Sequence, residues 1–120
     1  MEIVLLILIS VILGAFGQIF LKKGMKNVGE IEIKDLLSSK FFNLIREKFL
    51  FLGIALYGLA AIVWLVILSK AELSFAYPLI SIGYILVAVL SKIFLNESLT
   101  LVRFLGIILI FIGVFLILRS

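Results

Sequence analysis

Four long apolar stretches decide what this chain can become. They occupy residues 3–21, 49–69, 73–95 and 101–118. A helix rises about 1.5 Å per residue, so roughly 20 apolar residues cross a hydrocarbon core about 30 Å thick. Inside that core each backbone N–H and C=O must find a partner within the protein, which favours a helix for every single run. The expected fold class is an all-α integral membrane protein: four transmembrane helices in a single domain over residues 1–120. Of the 120 residues 65% are hydrophobic, and a soluble domain of this size would expose one continuous apolar patch.

The first stretch does not read as a secretory signal. Glu2 precedes it instead of a basic segment, and Leu21-Lys22-Lys23 follows instead of a small-residue cleavage site. Gly24 and Gly29 are expected to break the chain after this span. Beyond them, Ile33, Leu37, Phe41, Leu44 and Phe49 recur at helical spacing. Lys34, Asp35, Ser38, Ser39, Asn43, Arg46 and Glu47 fall on the opposite side. That pattern predicts an amphipathic helix over about 32–48, either lying in the headgroup layer or simply connecting two spans. The other links are short, 69–72 (SKAE) and 96–100 (NESLT), so consecutive spans are antiparallel neighbours. Thr100 or Ser98 is placed to cap the fourth helix.

Charge sets the expected orientation. An even number of spans puts both termini on one side, with Lys70 and Arg119. The other side holds Lys22, Lys23, Lys26, Lys34, Lys40, Arg46, Lys48, Lys92 and Arg103, nine basic residues against two. Basic loops stay in the cytoplasm. The expectation is a multi-pass protein of the cytoplasmic (inner) membrane, with termini outside and loops 22–48 and 96–100 inside. The net charge of +4 then reports topology, and no nucleic-acid partner is expected. Arg103 is expected to snorkel to the interface.

The third span holds groups that hydrocarbon rejects. Ser74, Tyr77, Ser81, Tyr84, Ala88 and Ser91 form one stripe at helical spacing, and Leu79, Ile82, Leu86, Val89 and Ile93 form the opposite, aliphatic one. Polar groups in spans face the protein interior or a wet cavity, so the hydroxyl stripe is expected to point inward and the aliphatic stripe to meet lipid. Pro78 has no N–H and opposes the carbonyl of Ser74, which predicts a bend. The bend suits a cavity wall and equally a harmless kink. Span one offers Ser10, Gly14, Gly17, Gln18 and Lys22 on a face, and span two offers Gly53, Tyr57, Ala60 and Trp64. Small residues there also serve close helix packing, and Tyr57 and Trp64 also suit interface anchors. Lys92 lies about one turn inside the end of its span. It either snorkels to lipid phosphate or joins Lys22 in holding the phosphate of an anionic substrate. Gly106 and Gly113, seven residues apart, mark span four as a dimer seam.

The chain has no histidine and no cysteine, and no carboxylate lies inside a span. Proton-coupled export of organic cations relies on a membrane-embedded carboxylate. No catalytic constellation is visible, so an enzyme is not expected; nor is a metal or other cofactor.

The segments GQIFLKKG (17–24), WLVILSKAELSFAYP (64–78) and KIFLNESLT (92–100), with the Gly106/Gly113 column, resemble the EamA-type, small multidrug resistance-like members of the drug/metabolite transporter superfamily. Within it the chain is similar to the subunits that flip aminoarabinose carried on undecaprenyl phosphate. It departs from the cation exporters, which carry a Glu where this chain has Gly14 and a Trp near Leu79 and Ile80.

The resemblance implies a transporter that works as a dimer. The charge bias allows a parallel homodimer or a heterodimer with a related four-span chain. The leading expectation is a flippase for a polyprenyl-phosphate-linked sugar. Lys22 and Lys92 would hold phosphate, and Gln18, Tyr77, Ser81 and Tyr84 would bond the sugar, with Tyr57 and Trp64 as further contacts. Export of small polar or cationic solutes and a non-transporting subunit supporting a partner enzyme are the alternatives.

Overall fold

The structure is a computed structural model that describes residues 2–120. Its helices are α1 (Glu2–Val28), α2 (Lys40–Arg46), α3 (Lys48–Leu68), α4 (Leu73–Leu79), α5 (Ile82–Leu95) and α6 (Leu101–Leu118), with a 3-10 turn at Ile33–Leu37. Four segments are long and apolar enough to cross a membrane: α1, α3, α4 with α5, and α6. The chain is a multi-pass membrane protein. The helices of the last three segments begin and end within one residue of the apolar stretches 49–69, 73–95 and 101–118.

Span one differs. Its helix passes through Gly24 and continues to Val28. Gly24 is not a breaker here. A Cβ on it would lie 2.7 Å from Leu50 Cγ and 2.8 Å from the Leu50 backbone nitrogen, so its bareness lets α3 approach. Gly29 does end the helix, at φ +96°, a conformation glycine tolerates without steric cost. The segment after it is helical in two short pieces, the 3-10 turn and α2, instead of one helix over 32–48. Ser38 separates them in extended conformation, its hydroxyl bonded back to the Asp35 carbonyl at 2.8 Å. Such local serine bonding competes with helix propagation.

α1 and α3 are antiparallel and in contact from end to end. Glu2 lies 3.7 Å from Lys70 at one end, and Asn27 Nδ2 donates to Glu47 Oε1 at 3.2 Å at the other. Between them Ser10 Oγ donates to the Ala60 carbonyl at 3.0 Å. A Cβ on Gly53 would meet the Gly17 carbonyl oxygen at 2.8 Å. Small residues thus bring the two backbones together, the usual basis of helix association in lipid. Glu47 also accepts from Phe49 N–H at 3.3 Å, capping α3.

The third span breaks just after Pro78, at Ile80 and Ser81. Around the break, Ile80, Ser81, Gly83 and Tyr84 N–H groups donate to carbonyls three residues back, at 2.8–3.0 Å. The ladder tightens to 3-10 spacing and restarts as α5. This re-aims the two stripes. Leu79, expected to face lipid, is fully buried with Ile7, Val11, Ile67, Ala76 and Val114. Ile82 packs against the same cluster, whereas Val89 and Ile93 are exposed on the outer face as expected. α5 ends at Asn96, in left-handed conformation (φ 55°), which Asn accommodates. There Lys26 Nζ donates to the Leu95 carbonyl at 3.1 Å, a cation at the negative end of the helix dipole. Thr100 caps α6 by accepting from Arg103 N–H at 3.2 Å. Apart from buried Val114, α6 turns most of its surface outward.

Candidate functional site

Two open-sided cavities lie among the spans. The first, about 370 Å³, is walled by α1, α3, α4 and α5. Gln18, Tyr57, Trp64, Tyr77 and Tyr84 all line it, with Ser10 beside them. The structure thus brings together five side chains that lie far apart in sequence. Trp64 and Tyr77 meet edge to face, centroids 6.2 Å apart at 65°, a favoured aromatic geometry. Their phenol and indole donors give an otherwise apolar wall a few polar points, the usual character of a small-molecule site.

The second cavity, about 590 Å³, lies between α5, α6 and the link joining them. Ala88 and Ser91 of α5, Glu97 and Ser98 of the link, and Arg103 and Gly106 of α6 line it. Gln18, Tyr84 and Val87 line both cavities. These three residues therefore stand between the two cavities. The first begins near the end of the bundle that holds the termini, where Trp64 and Tyr77 sit about one turn from helix ends. The second reaches the end that holds the Lys26–Leu95 contact. From Tyr77 to Ser91 the helical rise is about 20 Å, most of a hydrocarbon thickness.

Other expected residues stand elsewhere. Ser81 sits half-buried at the break and lines neither cavity. Lys22 and Lys92 are exposed on the outside of the bundle and also line neither. A Cβ added to Gly113 would meet no atom within 4 Å, and the same holds for Gly106. Span four, expected to form a dimer seam, supplies one wall of the larger cavity.

Two cavity residues were missed in the sequence, Glu97 and Arg103. Arg103 reads as an end-of-span arginine and Glu97 as part of a polar link. The signal available was their nearness: opposite charges six residues apart across a single capped helix start. Arg103 Nη1 donates to the Ser98 carbonyl at 3.4 Å.

Four helices long and apolar enough to cross a membrane, with open-sided cavities among them, define a small α-helical multi-pass membrane protein. The EamA-like transporter family matches residues 33–119, and the chain belongs to that family. The chain is 33% identical over 113 residues to a probable 4-amino-4-deoxy-L-arabinose-phosphoundecaprenol flippase subunit ArnF of Proteus mirabilis, covering 90% of this chain and 85% of that one. It is 34% identical over 120 residues to the like-named ArnF subunit of Photorhabdus laumondii, covering 93% of each. A probable ArnE subunit of the same flippase from Pseudomonas savastanoi is 34% identical over 71 residues, covering 59% of this chain and 62% of that relative. No solved structure matches the chain.

Proposed function

We propose that this chain is one subunit of a flippase for a polyprenyl-phosphate-linked sugar, the class of substrate named in its ArnF and ArnE relatives. The observation that carries the reading is that Gln18 and Tyr84 line both cavities, which lie one after the other along the spans. A sugar headgroup is too polar for hydrocarbon. It needs a continuous series of polar partners across the core, and its lipid tail needs a side opening. Open-sided clefts lined by Tyr77, Tyr57, Gln18, Tyr84 and Ser91 supply both. Tyrosine and tryptophan rings offer apolar faces to a sugar ring while hydroxyls and the Gln18 amide exchange hydrogen bonds with it.

In this reading Lys22 and Lys92, exposed outside the clefts, gather anionic lipid headgroups at the entrance. The basic loops are cytoplasmic and the termini lie outside, in the inner membrane. The working unit includes a second four-span chain, similar or identical, with the Gly106/Gly113 face of α6 as the contact.

Reconstitution in liposomes tests the reading. The expected result is translocation of a polyprenyl-phosphate sugar that falls at least about tenfold in Gln18→Ala plus Tyr84→Ala, the loss of two or more hydrogen bonds at about 1 kcal/mol each. Unchanged translocation in that double variant would remove the path. Lys22→Ala plus Lys92→Ala is expected to slow uptake from dilute substrate without abolishing it at saturation.

A further inference from the structure

The larger cavity holds two opposite charges that do not neutralise each other. Glu97 and Arg103 both line it, yet the ion pairs among the described residues are Lys34–Glu32, Lys40–Asp35 and Lys70–Glu2. Glu97 is half-buried. Its backbone N–H is engaged by the Ser91 carbonyl at 3.2 Å, which holds the residue at the cavity wall. The Thr100 cap holds the Arg103 backbone, and the Arg103 side chain is exposed. A guanidinium has five N–H donors. One reaches the Ser98 carbonyl, at the long distance of 3.4 Å, which leaves the fork largely unspent.

Charges kept at the edge of hydrocarbon are costly unless matched. A close Glu–Arg pair would have matched them internally. Lining one cavity with no ion pair between them among the described residues, they fit a ligand that carries both signs. We propose that Glu97 and Arg103 form a two-charge headgroup site: Arg103 takes the phosphate, and Glu97 takes an ammonium group on the sugar. Arg suits the first role because its planar fork accepts two phosphate oxygens at once. A carboxylate suits the second because an ammonium offers three donors and no acceptor. Glu97 is then the residue that separates amino-sugar lipids from neutral-sugar lipids. Lys26 Nζ bonds the Leu95 carbonyl, and no ion pair joins it to Glu97 among the described residues.

The inference rests on the flippase reading, and the experiment separates the two. The full chain, co-expressed with any four-span partner that co-purifies, is reconstituted with a prenyl-phosphate amino sugar or with the same lipid N-acetylated. Wild type is expected to move the amine at least about tenfold faster than the amide, the effect of one charge-assisted hydrogen bond. Glu97→Gln is expected to bring the two rates together by slowing only the amine. Arg103→Gln is expected to slow both lipids alike. Equal wild-type rates for amine and amide would overturn the two-charge site and leave the flippase standing, as would a Glu97→Gln loss that falls equally on both lipids. Transport of neither lipid by wild type would overturn the flippase reading and the site together.

Discussion

The α1–α3 half of the molecule is closed, and the α5–α6 half is open. Glycine shows the contrast best. Gly17, Gly24 and Gly53 sit where a neighbouring helix leaves room for a hydrogen and no more, at 2.7–3.0 Å from a would-be Cβ. Gly106 and Gly113 of α6 have no atom within 4 Å of the same point. The same residue type therefore makes a dry seam on one side and a bare surface on the other. The lesson is a division of labour. One pair of helices packs closely, and the remaining spans lean away to leave clefts whose mainly apolar walls carry a few polar groups. A site built against a stiff support holds its geometry better than one on mobile elements.

The sharpest break of this contrast is at Leu79, fully buried beneath the open half. Leu79→Ala is expected to cost about 2–5 kcal/mol through the cavity left behind, seen as a lowered midpoint in detergent-induced unfolding. Val89→Ala, on the exposed outer face of α5, serves as the reference and should barely move it. Next comes the seam. Gly53→Val is expected to lose about 1–3 kcal/mol by overpacking against the Gly17 carbonyl and Leu21. If the thermal midpoint, followed by helical circular dichroism, stayed put, the close approach would be refuted. A smaller effect is expected from Lys26→Met, which removes the cation from the end of α5. About 0.3–1 kcal/mol of stability should go, and faster hydrogen exchange should be confined to residues 92–96. The smallest change is at Gly58, which lies on α3 yet faces open space. Gly58→Ala should be neutral or stabilising by up to about 1 kcal/mol, from helix propensity alone. A clear destabilisation there would mean that a partner chain packs on that face.

The legible part of the structure was whatever depends on local chain chemistry. The spans at 49–69, 73–95 and 101–118 were readable because hydrocarbon thickness and backbone satisfaction act on each run by itself. The Thr100 cap was readable for the same reason, since a cap needs only residues three apart. Of the side chains expected to meet, Gln18, Tyr57, Trp64, Tyr77 and Tyr84 line one cavity, although Tyr57, Tyr77 and Tyr84, expected to point inward or to contact substrate, remain largely exposed. Two errors came from reading one helix at a time. Gly24 looked like a breaker, yet it lies inside α1 because Leu50 of another helix needs its space. Leu79 looked lipid-facing on an ideal helix, and the break at Ile80–Ser81 turned it inward.

The amino-acid sequence by itself determined that this protein is a bundle of four membrane helices and which faces of the first three are polar. It did so because those properties follow from periodicity and from the solvent around each segment. Only the tertiary structure decided that Gln18 and Tyr84 line two cavities at once, and that Glu97 and Arg103 line one of them with no ion pair between them among the described residues. Those facts depend on how far apart helices pack and how they are rotated. Contacts between residues distant in the chain fix both, and no local pattern encodes them.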